Sequence, residues 1–359
     1  MSNPALSLQQ LHKNLAKVIH CQPQSLLFTL TTLLCRGHLL IEDVPGLGKT
    51  TLARALAKSV QVDMRRLQCT PDVMPSDITG VSVFNPQDQS FHLSPGPIFT
   101  NLLLVDEINR ATPRTQSALL EAMAEGTVSI DREIHALPAV FMVIATQNPV
   151  EFSGTYPLPE AQLDRFFMRI SLGYPSEEQE LGILQAQLSG HPLDTLEAVM
   201  SDKALQALQA HCEKIPLSEA LLGYINQLVR ATREHPKVQL GASPRGALAL
   251  MRAARAMTLL TGKKQVTPHT VQLLVDPVLS HRLIFRNPGM NQAEQRQAFW
   301  DDLLAQIPVP DFASTPQTQA PAAESSSDQT RETESKTTQD TNTNTPRGRV
   351  KARPGSESR

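Results

Sequence analysis

The chain has 359 residues, 40% of them hydrophobic, and a formal net charge of -2. That is apolar material for one large domain or two to three ordinary ones, with no charge excess to draw nucleic acid or an anionic membrane. No uncharged apolar run reaches membrane-spanning length, and Cys21, Cys35, Cys69 and Cys212 show neither metal-ligand spacing nor a disulfide framework, so a cytoplasmic location is the expectation.

The N-terminus, MSNPALSLQQLHKNL, is too polar for a signal peptide. Leu8, Leu11, Leu15 and Val18 recur at three- and four-residue spacing, which predicts a largely helical segment over 7–35. HLLIE at 38–42 is a short apolar run that ends at a glycine loop, and TLARALAKSV after it reads as helix. Residues 67–100 hold five prolines with Gly80 and Gly96, a pattern of loop with short elements. NLLLVDEI at 101–108 reads as a buried strand ending in two acids, and SALLEAMAEG as a helix stopped by Gly126. TVSIDREIHAL alternates as a hairpin does, and AVFMVIATQNP is a further buried strand. Apolar strands followed by helices predict an α/β fold with a parallel sheet covered on both faces, and ligands outside the carboxyl ends of its strands.

Beyond YPSEEQE the pattern turns helical, with helices expected at 177–189, 201–212, 217–233, 244–261 and 268–284. The residues from 311 on are almost wholly small and polar and cannot bury enough area to offset their ordering entropy. The division expected is therefore 1–173 as an α/β nucleotide-binding domain, 174–310 as a helical domain, and 311–359 as a disordered Ser/Thr-rich tail. The tail reads either as a solubiliser or as a docking segment for a partner.

The chemistry gathers at the strand ends. In the run Val44, Pro45, Gly46, Leu47, Gly48, Lys49, Thr50, Thr51, the glycines let backbone N–H groups wrap phosphate oxygens. Lys49 would reach the β- and γ-phosphates, and Thr50 would offer its hydroxyl to Mg2+. Asp43 stands where the usual pattern has glycine, ahead of the residues that must touch phosphate. Asp106 could hold the metal and Glu107 could activate water, or the two carboxylates could cap a following helix. Asn148 could bond the water or the γ-phosphate, or form a turn before Pro149. Arg165 could pair with Asp164 or reach a neighbour's phosphate. Arg245, in the first turn of a predicted helix, opposes the helix dipole unless an anion lies nearby.

Residues 5–305 resemble an AAA+ ATPase of the MoxR family. GHLLIEDVPGLGKT carries the Walker A loop, LLLVDEINRATPRTQSALLEAMAEG the Walker B strand, and LPAVFMVIATQNPVEFSGTYPLPEAQLDRF the sensor 1 and arginine-finger segment. QCTPDVMPSDITG, SPGPIF, SPRGALAL and VLSHR match further family segments. The resemblance implies a P-loop NTPase fold, a three-layer αβα sandwich with a C-terminal all-α lid. It makes Asn148 sensor 1, Arg165 a finger acting in trans and Arg245 sensor 2. It implies ATP and Mg2+ as ligands, a ring that is often hexameric, and chaperone-like remodelling, maturation or assembly of a partner protein, including metal-centre insertion. A protein with a von Willebrand factor A domain is the partner class it suggests. The alternatives are an ATP-binding scaffold with weak turnover and a DNA-acting motor, the latter disfavoured by the near-neutral charge.

Overall fold

A computed structural model describes residues 4–131, 133–149, 154–188, 190–286 and 292–310. The expected tail, 311–359, lies outside the described residues. Two helices open the chain, α1 (Pro4–Ala16) and α2 (Pro23–Leu34), so the helical segment expected over 7–35 is broken before Pro23. Then come β1 (Leu39–Glu42), α3 (Lys49–Ser59), β2 (Met64–Gln68), α4 (Pro75–Thr79), and the strands β3 (Gly80–Asn85), β4 (Ser90–Pro95) and β5 (Leu102–Asp106). The α/β half continues through α5 (Pro113–Glu125), β6 (Thr127–Ile130), β7 (Glu133–Ala136), β8 (Met142–Gln147), α6 (Glu160–Leu163) and β9 (Met168–Ile170). The remainder is α7 (Glu177–Leu188), α8 (Asp202–Cys212), α9 (Glu219–Glu234), β10 (Val238–Leu240), α10 (Pro244–Leu260), α11 (Pro268–Leu279), β11 (Ile284–Phe285) and α12 (Gln292–Gln306).

The central sheet is parallel, in the order β2-β5-β8-β1-β9. Alternation along its strands sorts their side chains into two cores. Leu39, Ile41, Leu102, Leu104, Met142 and Ile144 enter one apolar cluster. Leu40, Leu103, Val105, Val143 and Ala145 enter another, with α5. A sheet buried on both faces is the middle of a three-layer sandwich. The first cluster runs on through Leu228, Leu250, Val271 and Trp300, so the helical half shares its core with α1, α2 and one sheet face. The chain leaves β1 at the point where strand order reverses, with β8 on one side and β9 on the other, and there a crevice opens beyond the carboxyl ends.

The segment 67–100 is more ordered than its proline content suggests. It holds the end of β2, all of α4, and the antiparallel pair β3–β4. Gly80, at the start of β3, and Gly96, just past β4, lie so close to neighbouring backbone that a Cβ on either would collide with main-chain atoms. The hairpin expected around Asp131 forms from β6 and β7, with Asp131 at φ 49° in the turn.

Candidate active site

β1 is buried for its first three residues and delivers the chain to the loop 43–48. Gly46 (φ 90°) and Gly48 (φ 79°) both lie in the left-handed region. Open space surrounds the position a Cβ would take at each, so backbone conformation, not crowding, selects glycine there. Gly48 is the N-cap of α3, whose first residues are Lys49, Thr50 and Thr51. The Lys49 ammonium donates to the Asp43 and Val44 carbonyls at 2.6 and 3.0 Å. Burial lowers its pKa, and Asp43, Asp106 and Glu107 oppose that shift.

Asp43 is buried and answers the question its position raises. Its carboxylate accepts from the Ser171 hydroxyl at 2.6 Å and the Leu172 N–H at 2.5 Å, just past the end of β9. The side chain therefore points away from the loop and ties it to the neighbouring strand's exit.

β5 is buried along its whole length and ends in Asp106. The Thr146 hydroxyl, at the end of β8, donates to Asp106 Oδ1 at 3.3 Å and accepts the Glu107 N–H at 2.9 Å. Arg66 Nε donates to Asp106 Oδ2 at 2.6 Å. Glu107 takes φ 57° and ψ 52°, a left-handed conformation uncommon outside glycine. Its carboxylate accepts from Gln68 Nε2 at 2.9 Å and Arg110 Nη1 at 3.2 Å. Glu107 makes no side-chain cap to the short helical turn after it, which removes the capping explanation for this residue.

These groups meet in a cleft of about 360 Å³ lined by Pro45, Gly46, Gly48, Lys49, Thr50, Thr51, Asp106, Glu107 and Asn148, together with Arg66, Gln68 and Thr146. A cavity of about 460 Å³ shares Pro45, Gly46, Gly48 and Thr51 with it and adds Leu47. Its far wall is Val18, Ile19, His20, Tyr174 and Ile183. The loop thus sits between a polar, acid-lined cleft and a more apolar one. Val44 contributes a backbone carbonyl to Lys49. Thr50 and Asp106 offer hard oxygen donors on the polar side, and Asp106 already takes a cation from Arg66, so this donor set fits a magnesium ion.

Arg165 and Arg245 lie elsewhere. Both line a cavity of about 410 Å³ with Asp164, Arg36, Arg252 and Arg282, and no residue of the 43–51 loop lines it. The pairing of Arg165 with Asp164 does not form; Arg165 Nη1 donates to the Leu120 carbonyl at 2.8 Å. Asp164 instead accepts from Arg282 Nε at 2.7 Å and Arg245 Nη1 at 3.4 Å. It is the anion that offsets the unfavourable place of Arg245 in the first turn of α10.

The match to known proteins follows the same architecture. Residues 38–168 match the family described as ATPase family associated with various cellular activities (AAA), and residues 230–302 match the AAA lid domain. Chaperone MoxR1 of Mycobacterium tuberculosis is 36% identical over 310 residues, 84% of this chain and 82% of its own. The chain belongs to the MoxR family of AAA+ ATPases. The uncharacterised YeaC of Bacillus subtilis, 47% identical over 284 residues, covers 79% of this chain and 89% of its own. A crystal structure of a candidate ATPase from Cytophaga hutchinsonii superposes with a TM-score of 0.78 at 34% identity, over 86% of this chain and 96% of that one. This MoxR-family chain is accordingly a chaperone-like, nucleotide-binding ATPase, and no described helix is long and apolar enough to cross a membrane.

Arg66, Gln68 and Thr146 were absent from the residues that sequence singled out. Arg66 and Gln68 stand two apart on MRRLQ and so share a face of β2, but the paired arginines hide the strand. Thr146 stands two places before Asn148 in ATQN, and no phosphate-loop motif marks it.

Proposed function

We propose that this MoxR-family chain hydrolyses ATP held across the two cavities that flank the loop, and couples turnover to remodelling of a partner protein. The base and ribose would occupy the more apolar cavity against Ile19, Tyr174 and Ile183, and the phosphates the acid-lined cleft. Lys49 neutralises the β- and γ-phosphates, and the N–H groups of residues 46–51 surround them. Thr50 and Asp106 would hold Mg2+, which would supply charge neutralisation at the phosphate oxygens. Glu107 takes the proton of the attacking water, and Asn148 orients that water or the γ-phosphate.

Arg165 and Arg245 act on the nucleotide of a neighbouring subunit. The observation that carries this reading is their separation: Lys49, Asp106, Glu107 and Asn148 share one cleft, whereas both arginines line another. Action in trans calls for a neighbouring subunit, and a hexameric ring is the assembly proposed. The α/β part to residue 173 and the helical part at 174–310 are its working domains. The substrate class is a protein complex undergoing maturation or assembly, metal-centre insertion included. A protein with a von Willebrand factor A domain is the proposed partner, and the cytoplasm the proposed compartment.

Mixed rings test the trans assignment. Arg165→Ala subunits and Lys49→Ala subunits are each expected to be nearly inactive, since a finger arginine in other nucleotidases contributes roughly 10³–10⁵ in rate. Mixed together, they place an intact loop beside an intact arginine, and activity returns. No recovery in rings shown to contain both variants rejects the trans role.

A further inference from the structure

Arg66 pairs with the carboxylate proposed to hold the metal. Its Nε lies 2.6 Å from Asp106 Oδ2, and it lines the cleft with Lys49 and Thr50. The side chains differ in freedom: that of Asp106 is 10% exposed and that of Arg66 is 50% exposed. The carboxylate is fixed at the end of a buried strand, and the guanidinium sits on a long stem at the sheet edge.

The electrostatics explain why a cation belongs there. Asp106 and Glu107 are adjacent acids, and like charges this close disfavour each other. Arg110 and Gln68 satisfy Glu107. Lys49 is directed to two loop carbonyls. Thr146 gives Asp106 a neutral hydrogen bond at its other oxygen. Among the described residues, Arg66 alone makes an ion pair with Asp106.

We propose that Arg66 is the resident counter-ion of Asp106 and competes with Mg2+ for its carboxylate, so that metal loading of the phosphate cleft requires this arginine to move. The proposal rests on the reading of Asp106 as a metal ligand. A guanidinium and a divalent ion on one oxygen repel each other, so each excludes the other. Arg66 is then a positioning residue: it holds the Asp106 carboxylate in place, and it sets how strongly metal improves nucleotide affinity.

The test is equilibrium binding of a fluorescent ADP analogue to the full chain, in Mg2+ and in EDTA. The quantity read is the ratio of the two affinities, which isolates the metal's contribution and involves no turnover. Arg66→Gln leaves no ion pair to break and is expected to raise the ratio roughly fivefold, the factor a partly exposed pair supplies. Arg66→Lys keeps a cation on the edge strand and is expected to stay near wild type. In EDTA without nucleotide, Arg66→Gln is also expected to unfold at a lower temperature than wild type, and saturating Mg2+ and ADP narrow that gap. Asp106→Asn separates the two claims. If it abolishes the metal effect while Arg66→Gln keeps the wild-type ratio or lowers it, the Arg66 proposal is overturned and the metal reading stands. If Asp106→Asn leaves the ratio unchanged, both are overturned.

Discussion

Lys49 and Glu107 carry opposite predictions because the roles proposed for them fall at different stages. Lys49 stands at the first residue of α3, so Lys49→Ala should lose binding of a fluorescent ATP analogue; equal affinities would remove the loop from the site. Glu107 is proposed to act on water, so Glu107→Gln should bind ATP and lose phosphate release, and a near-wild-type rate would exclude it. A different residue contributes to the pH dependence of stability. His38 is buried, accepts the Val143 N–H at Nδ1 and contacts the Met123 carbonyl through Nε2, both at 3.0 Å. That assigns the neutral tautomer with its proton on Nε2. Burial pushes its pKa down to about 4 from 6.5, with the Met123 bond opposing. The unfolded chain therefore takes up this proton first as pH falls, and the stabilisation present above pH ~6.5 is lost progressively toward pH ~4. The loss from this one group between about pH 7.5 and about pH 5.5 is roughly 1.3 kcal/mol. His281, also buried and shifted in the same direction, adds to the slope. Urea unfolding of His38→Gln should show a shallower decline than wild type over that range, and an unchanged slope would reject the assignment.

Among the elements, the link between β1 and β9 is the one that a simple motif match would misread. Asp43 resembles a defect in the phosphate-loop pattern, yet its carboxylate satisfies the Leu172 N–H and the Ser171 hydroxyl. Asp43→Gly restores the commoner loop residue and leaves a buried N–H without its partner. It should cost about 1–3 kcal/mol in denaturant unfolding while nucleotide binding persists. Unchanged stability would show that the latch contributes nothing. The position of Asp43 before the contacting residues was readable in sequence; its bonding partner was not, because Ser171 lies 128 residues away. The same division applies elsewhere. LLLVDE and FMVIAT announced themselves because a strand buried on both faces is continuously apolar. β2 did not, because an edge strand carries charge where it meets solvent, and Arg65 and Arg66 break its pattern. Its loss took Arg66 and Gln68 with it. The shared cavity of Arg165 and Arg245 was equally hidden, since it depends on how α10 meets the end of α6.

For the whole molecule, the proposed ring would make turnover depend on assembly. Specific ATPase activity should rise with protein concentration until rings form, and a flat profile across the assembly range would contradict the trans arrangement. A chain ending at Pro310 should keep both behaviours, since the residues beyond it have almost no apolar periodicity; loss of rings on truncation would assign them a structural part. Asp164 has a consequence at this scale. It accepts from Arg282, buried beside the end of α11, and more weakly from exposed Arg245, at the start of α10. If a neighbour's phosphate takes Arg245, it does so in competition with Asp164. Thermodynamic reciprocity then applies: whatever loosens Arg245 from Asp164 within one subunit strengthens that subunit's hold on the next one's nucleotide, and the nucleotide loosens the pair by the same factor. The Arg245–Asp164 pair in one subunit and nucleotide occupancy in the next would then be two readings of one equilibrium, a coupling through which a ring would fire its sites in sequence rather than at random.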